Sequence, residues 1–203
     1  MKNLITTTLL SILAIFSSFD SPAQDIITVK TDIYTIEYNQ AYQQPVHIEY
    51  SIICKPDAKS YPRNKYNFTR VSGIETSTGG DYENNVWDKG HMAPASTFSC
   101  REDWLKETFS YINCALQHEN LNRGAWASLE AFERDLAGVY DDIQVEIWVH
   151  FSDSYTEDST PARIPASFIK TISWKEADGN KKEISFEFPN EDTKGASFWS
   201  FRL

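Results

Sequence analysis

The stretch of residues 87–134 constrains this chain most, because it places one histidine between a glycine and a proline and follows it with an amphipathic segment. Gly90 precedes His91 in the tetrapeptide Asp88-Lys89-Gly90-His91, and Pro94 prevents a regular helix from running through the histidine. These residues predict a turn that presents His91 at its edge. An imidazole held in this way is suited to proton transfer near neutral pH, which favours a functional role over a structural one.

The segment after the histidine has the apolar pattern of a helix over residues 117–136, followed by the helix breaker Gly138. At about 100° per residue, Asn122, Glu130 and Arg134 lie within about 120° of arc and share one face. They can therefore point into one site. The alternative is an ordinary exposed pair, since Glu130 and Arg134 at i,i+4 would stabilise a helix by only a few tenths of a kcal/mol.

Alternating polar and apolar residues predict strands over residues 26–38, 46–53 and 143–150, and a short buried strand over 111–115. A hairpin is predicted where residues 164–174 and 183–188 flank Asp178-Gly179. Residues 55–80 are rich in Pro, Asn, Ser, Thr and Gly and predict a long loop, of the kind that is often functional. Arg63 lies in this loop. It is a candidate phosphate contact, with a solvated surface charge as the alternative.

The N-terminal residues 1–23 have the pattern of a signal peptide, with an early lysine, a short apolar run and the small residues Ser21-Pro22-Ala23. The apolar run is shorter than the roughly 20 residues of a membrane span, so no membrane segment is expected. We therefore predict a secreted or periplasmic protein that consists of one domain over residues 24–203, a length that suits a single core.

The formal net charge of −10 is unusual for a protein that binds nucleic acid, whose surface is ordinarily basic. It argues against a sequence-specific DNA reader. It is compatible with an enzyme that uses a metal cation and a few placed Arg or Lys side chains, because turnover requires affinity for the transition state more than for the ground state.

The three cysteines allow at most one internal disulfide and leave one thiol. The pair Cys100–Cys114 is favoured because its loop is short, although sequence alone does not settle the pairing. A zinc cluster that joins Cys114 to His118 and Cys100 to His91 is disfavoured, since the sequence has no C-x-x-C pair.

The polar residues of the central stretch resemble those of the DNA/RNA non-specific endonuclease family, which includes secreted bacterial nucleases and the endonuclease G group. The family's Asp-Arg-Gly-His and following Pro-Ala are similar to residues 88–91 and 94–95. Its strand-ending Asn, a Gln four residues on, and Asn-x-Gly-x-Trp-x-x-Leu-Glu with a later Arg are similar to Asn113, Gln117, residues 122–130 and Arg134. The resemblance implies an α+β protein with the ββα-metal (His-Me finger) nuclease fold, which has an antiparallel sheet and a metal-bearing helix.

The resemblance also implies a Mg²⁺-dependent (or Mn²⁺-dependent) enzyme that hydrolyses phosphodiester bonds in DNA and RNA without sequence specificity. His91 would be the general base and Asn122 the sole direct protein ligand of the metal. Glu130 would hold metal-bound water. The remaining roles are phosphate binding by Arg63 and Arg134, support of the site near His91 by Asn113, and attraction of phosphate by Lys89.

One departure from the family pattern is Lys89, which replaces an arginine and keeps the charge but loses the bidentate fork. A local cationic cleft of Arg63, Lys89, Arg123 and Arg134 would allow an acidic protein to bind a nucleic-acid backbone. The alternatives are a catalytically inactive nucleic-acid-binding or interaction domain on the same fold, a toxin-type nuclease, and a phosphodiesterase of small substrates. No oligomeric state is predicted.

Overall fold

The computed structural model describes residues 25–152 and 161–203, and the signal peptide predicted over residues 1–23 lies outside them. A six-stranded, fully antiparallel sheet forms the centre, with the order β1-β2-β3-β6-β7-β8. Its strands are β1 (Ile26–Lys30), β2 (Tyr34–Asn39), β3 (Gln44–Ser51), β6 (Gln144–His150), β7 (Ser167–Lys175) and β8 (Lys181–Pro189). The α+β class with an antiparallel sheet is thus confirmed.

A smaller two-stranded ribbon and a helix stand beside this sheet. The ribbon pairs β4 (Trp87–His91) with β5 (Cys114–His118), and the connection between these two strands contains α1 (Glu102–Thr108). The chain after β5 forms the short helix α2 (Glu119–Leu121), a π turn (Asn122–Trp126) and the helix α3 (Ala127–Leu136). Four 3₁₀ turns are also present in the described part: Arg63–Lys65, Gly79–Tyr82, Tyr111–Asn113 and Phe198–Phe201.

The main core lies between α3 and one face of the six-stranded sheet, which we call the inner face. Alternation along β2, β3, β6 and β7 turns one apolar set toward α3 and a polar set toward solvent. Trp126 is fully buried and contacts the rings of Phe168 and Phe188, each at a centroid distance of 5.5 Å. The sheet therefore anchors the helical segment that carries the candidate site residues.

The segment predicted as one strand over residues 26–38 is two strands. The Thr31 hydroxyl accepts hydrogen bonds from the backbone N–H groups of Ile33 and Tyr34, which closes a turn between β1 and β2. The hairpin around Asp178-Gly179 is confirmed, because Gly179 has φ +86° between β7 and β8.

The predicted turn at residues 88–91 is wrong, since these residues belong to β4. Gly90 pairs with Ala115 and its Cα lies against the Gln117 side chain of β5. A Cβ at position 90 would be 2.5 Å from Oε1 and 2.6 Å from Cβ of Gln117. Gly90 is thus required by the close approach of the Gln117 side chain and not by a turn conformation.

The predicted continuous helix over residues 117–136 is also wrong in part. Gln117 and His118 complete β5, and the π turn interrupts the helix, with Gly124 at φ −107° and ψ −106°. The Ser128 hydroxyl donates a hydrogen bond to the carbonyl of Gly124 within this interruption. Helical periodicity alone does not reveal a π turn, because it changes the phase of the side chains by only one residue.

The predicted Cys100–Cys114 disulfide is wrong, because Cys54 bonds to Cys100. Cys114 is a free buried thiol whose Sγ donates a hydrogen bond to the Tyr82 hydroxyl oxygen at 3.2 Å, and burial raises its pKa to about 12. The short loop between Cys100 and Cys114 contains α1, and β5 then takes Cys114 into the interior. Loop length was therefore a poor guide to which sulfur atoms meet.

Within the described ranges, no helix is both long and apolar enough to span a membrane.

A buried ion pair joins α3 to the sheet. Lys170 on β7 and Glu133 on α3 are both fully buried and form a salt bridge, and the Tyr50 hydroxyl donates to Oε2 of Glu133 at 2.8 Å. The Lys170 ammonium also lies 4.5 Å from the centroid of the Trp126 ring. The pair is retained in an apolar environment because each charge has the other beside it.

We predict that Lys170→Met lowers the free energy of unfolding by about 3–5 kcal/mol, since it leaves the Glu133 carboxylate buried without its cation. Urea denaturation at pH 7 measures this loss. The double variant with Glu133→Leu should recover part of it. The exposed Lys182, which pairs with Glu176, provides the matched control: Lys182→Met should change the unfolding free energy by less than about 0.5 kcal/mol. Equal effects of the two lysine substitutions would contradict a structural role for the buried pair.

Candidate active site

A cavity of about 430 Å³ opens where β4, the π turn, the start of α3 and the loop before β4 meet. Five of the seven residues predicted from sequence line it. The full lining is Arg63, Phe68, Asp88, Lys89, His91, Ala95, Ser96, Asn122, Arg123, Ala127 and Glu130. The cavity therefore combines a histidine, carboxylate and amide oxygens, and basic side chains.

The histidine of this cavity is held by β4 and by aromatic rings. His91 pairs with Cys114 of β5, and its side chain packs against Phe68 and Phe109 at centroid distances of 4.7 and 5.0 Å. The residue is 7% exposed, and its Nε2 atom is buried with no hydrogen-bond partner among the described residues. The ring is therefore held by packing, and its Nε2 atom is available to a water molecule or a substrate.

Burial, together with the nearby positive charge of Arg63, lowers the pKa of His91 to about 3. The imidazole is consequently neutral throughout the physiological range. A neutral imidazole has one nitrogen lone pair that can accept a proton, so this side chain is in the form that a general base requires.

Asn113 lies behind the cavity and does not line it. Its side chain accepts a hydrogen bond from the backbone N–H of Ala93 at 2.8 Å and donates to the carbonyl oxygens of Ala93 and Thr108, each at 2.9 Å. Asn113 is completely buried. It ties the segment that follows His91 to the end of α1, so its contribution to the site is to hold the backbone near the histidine.

Asn122 is oriented by an aspartate that the sequence analysis left without a role. The Asn122 Nδ2 donates to Oδ2 of Asp88 at 2.8 Å, and Arg123 donates to both oxygens of the same carboxylate at 2.8 and 2.6 Å. With its NH₂ group engaged by Asp88, Asn122 has its carbonyl oxygen free to act as a ligand. The position of Asp88 in the tetrapeptide was the available signal, but its partners on the π turn follow only from the tertiary fold.

Glu130 supplies a second oxygen donor on the same side of the cavity. Burial raises its pKa to about 7, and the positive charge of Lys170 opposes that effect. The Glu133 carboxylate contributes to this rise, and Arg134, like Lys170, acts against it. A carboxyl group with a pKa near neutrality ionises readily when a cation approaches.

The cationic residues are divided between two adjoining cavities. Arg63 lines both, Lys89 lines the first, and Arg134 lines the second, which has a volume of about 510 Å³ and lies against the Cys54–Cys100 disulfide. Arg63 is exposed, and the Lys89 ammonium lies 5.2 Å from the centroid of the Tyr82 ring. Arg134 therefore lines a different cavity from Asn122 and Glu130, although it lies one turn after Glu130 on α3 and its charge acts on the Glu130 carboxyl.

The donor set of the first cavity fits a hard divalent cation. The oxygens of Asn122 and Glu130 line one space with the carboxylate of Asp88 at its edge. Mg²⁺ prefers such oxygen ligands, keeps several waters and needs few protein donors. These residues are compatible with the metal that the resemblance implies.

An antiparallel ribbon that ends in a histidine, followed by a helical segment with an Asn and a Glu that share its cavity, defines the ββα-metal nuclease fold. The comparisons agree. A structure titled "Crystal structure of the EndoG/EndoGI complex: Mechanism of EndoG inhibition" superposes with a TM-score of 0.75 and 25% sequence identity, over 87% of this chain and 79% of that one. The model of the DNA/RNA non-specific endonuclease family matches residues 16–202. The chain belongs to this family and is a nuclease-type enzyme.

Relatives with curated names include two nucleases of different origin. A "Nuclease" from Serratia marcescens is 25% identical over 188 residues, which cover 87% of this chain and 70% of the relative. "Endonuclease G, mitochondrial" from Bos taurus is 27% identical over 131 residues, which cover 59% of this chain and 44% of the relative. The matched region thus amounts to less than half of the bovine protein.

We predict that His91 makes the stability of the protein depend on pH. Because its pKa is about 3 in the folded state and 6.5 ordinarily, the unfolded chain binds more protons between these values. The free energy of unfolding that depends on the neutral His91 is at its full value above pH 6.5 and falls progressively as the pH decreases toward 3. Its maximal slope is about 1.4 kcal/mol per pH unit.

Urea denaturation between pH 4 and 6.5 measures this slope, and His91→Asn should be less sensitive to acid than the natural protein. The exposed His150 is the control, because His150→Asn should leave the slope unchanged. Identical slopes in the natural protein and the His91 variant would show that the imidazole is not held neutral by burial.

Proposed function

We propose that this protein is a secreted or periplasmic, Mg²⁺-dependent endonuclease that hydrolyses phosphodiester bonds in both DNA and RNA. The observation that carries the proposal is the cavity in which a neutral His91, the oxygen donors Asn122 and Glu130, and the cation Arg63 lie together. This combination contains the groups that phosphodiester hydrolysis needs: a base for water, a place for a cation, and a positive charge for the phosphate.

His91 is proposed as the general base. It accepts one proton from a water molecule while the water oxygen forms a new bond to phosphorus and one P–O ester bond breaks. The leaving oxygen takes up a proton from solvent. The low pKa of His91 ensures that the imidazole is unprotonated before each turnover, although it also makes the imidazole a weak base.

Asn122 is proposed as the direct protein ligand of Mg²⁺ (or Mn²⁺), which when bound supplies positive charge beside the phosphate and the leaving oxygen. Asp88 fixes the Asn122 amide through the hydrogen bond of 2.8 Å. Glu130 accepts hydrogen bonds from water in the same cavity. Asp88, Glu130 and Asn122 therefore hold oxygen donors where the cation would bind and leave room for its water ligands.

Arg63, Arg134 and Lys89 are proposed to bind the phosphate backbone. Arg63 borders both cavities, so a chain of phosphates can pass from the space beside His91 into the space beside Arg134. Guanidinium groups suit this task because they donate two parallel hydrogen bonds to phosphate oxygens. A groove of two connected cavities favours a polymer over a small phosphodiester, and backbone binding of this kind carries no sequence preference.

The proposed export rests on the predicted leader and on the disulfide. Cys54–Cys100 is the type of bond that persists in oxidising compartments and is rare in the cytosol. The mitochondrial name of the bovine relative is a property of that protein.

The expected result of His91→Ala is loss of cleavage of both plasmid DNA and total RNA, by at least about 100-fold, because the attacking water loses its base. The purified protein is incubated with each polymer in Mg²⁺ and in chelator, and products are followed on gels. His150→Ala is the control and should retain full activity. Cleavage that persists in the His91 variant would refute the mechanism.

The same assay separates the rival functions. If neither polymer is cut with any divalent cation, the family fold acts here as a binding domain, and its affinity for nucleic acid should then be measured against salt. If only small diesters are cut, the polymer groove is refuted.

Asp88→Asn should raise the Mg²⁺ concentration needed for half-maximal cleavage by about tenfold or more, since it weakens the hydrogen bonds that orient Asn122. Titration of the initial rate with Mg²⁺ gives this value. The exposed Asp178 of the β7–β8 turn, which lines neither cavity, serves as the control in Asp178→Asn. A maximal rate that falls with no change in the Mg²⁺ requirement would assign Asp88 to a different step.

A further inference from the structure

A second group of metal-ligating side chains lies on the face of the central sheet that points away from α3, which we call the outer face. His47 and Glu49 of β3 and Glu146 of β6 each offer a ligand atom, and these atoms all lie within 4.8 Å of one another. In residues 25–152 and 161–203, no other set of three His, Cys, Asp or Glu side chains has its ligand atoms this close together. None of them lines the catalytic cavity.

The two faces of β3 separate this group from the proposed active site. Ile48 and Tyr50 point to the inner face, where Tyr50 contacts Glu133 of α3. His47 and Glu49 alternate with them and therefore project from the opposite face. The single layer of the six-stranded sheet stands between this group and the helix that carries Glu130.

The charges on this part of the outer face are unfavourable without a cation. Glu49 and Glu146 are directly opposite each other in the β3–β6 register, and Glu37 of β2 is opposite His47. Like charges at directly opposed positions destabilise a sheet. Lys181 of β8 lines the same pocket as both glutamates, but its ammonium pairs with Glu183 at 3.4 Å. A divalent cation between Glu49 and Glu146 would convert it into attraction.

The imidazole is already positioned for such a cation. The His47 ring stacks on the Trp148 ring at a centroid distance of 4.0 Å and an angle of 24°, and its side chain is only 12% exposed. Its Nε2 atom is 3.0 Å from Oε1 of Glu146 and 4.0 Å from Oε1 of Glu49. Trp148 also donates from Nε1 to Oε1 of Glu146 at 2.9 Å. The ring stacking and this hydrogen bond hold the ligand atoms of His47 and Glu146 in one region.

We propose that His47, Glu49 and Glu146 bind one divalent transition-metal ion, represented by Zn²⁺, with water as a further ligand. Ligand atoms in a tetrahedral zinc site are about 3.4 Å apart, so the present separations require only small side-chain rotations. An imidazole nitrogen with carboxylate oxygens suits Zn²⁺ and similar ions, whereas Mg²⁺ prefers oxygen alone. The ion bridges β3 and β6, the central pair of the sheet, whose ligands are about a hundred residues apart in sequence. It therefore stabilises a long-range strand pairing.

The test uses the full chain with His91→Ala, which removes the catalytic histidine as a competing ligand, in buffer with excess Mg²⁺. Titration calorimetry with Zn²⁺ should give one saturable site, and Zn²⁺ should raise the thermal midpoint. Adding His47→Ala should weaken binding by about 100-fold and abolish the thermal shift. Adding His150→Ala, on the same face of β6, should change neither.

One further variant and a folding control complete the test. Glu146→Gln, which preserves size and the Trp148 hydrogen bond, should weaken Zn²⁺ binding by about tenfold or more. Circular dichroism confirms that each variant is folded. Unchanged affinity in the His47 variant, or no saturable binding in the parent, overturns the proposal. Because the parent lacks His91 and no cleavage is measured, these outcomes are independent of the proposed nuclease function.

Discussion

The close pairing of β4 with β5 is the constraint on which the site depends. Gly90 allows the Gln117 side chain to lie against the β4 backbone, at a distance that no Cβ would permit. This contact brings His91 at one end of the ribbon and the segment after His118 at the other into one region. Asp88, two residues before Gly90, then reaches Asn122 and Arg123 on the π turn. Without the close pairing, His91 and Asn122, the proposed base and metal ligand, would belong to separate parts of the surface.

Burial acts on the two titratable groups of the cavity in opposite directions. It lowers the pKa of His91 to about 3 and raises the pKa of Glu130 to about 7. Both shifts favour the neutral form, since charge is poorly solvated in a cavity walled by protein. For the histidine the neutral form is the one able to accept a proton. For Glu130 the buried Lys170 lowers the pKa and its partner Glu133 raises it, so the two members of the ion pair that anchors α3 act on this carboxyl in opposite directions.

The protein is acidic as a whole, but the positive side chains of the cavities and the glutamates of the outer face lie on different sides of the central sheet. Arg63, Lys89, Arg123 and Arg134 border the two adjoining cavities, whereas glutamates of the sheet project from its outer face. A single antiparallel sheet thus separates a cationic groove from an acidic surface. Electrostatic attraction between phosphate and a few placed cations acts over about 10 Å at physiological salt, so local charge matters more than net charge.

The sequence by itself determined the family, the α+β class and most of the residues that meet in the cavity, because these depend on residue type and spacing along one continuous stretch. It also predicted the β7–β8 hairpin, where Asp178-Gly179 specifies its own turn. Only the tertiary structure decided the rest. The pairing of Cys54 with Cys100, the placement of Arg134 in the adjoining cavity, and the contacts of Asp88 with Asn122 all depend on segments distant in the chain. Local periodicity carries no information about such contacts, since they arise when packing brings separate elements together.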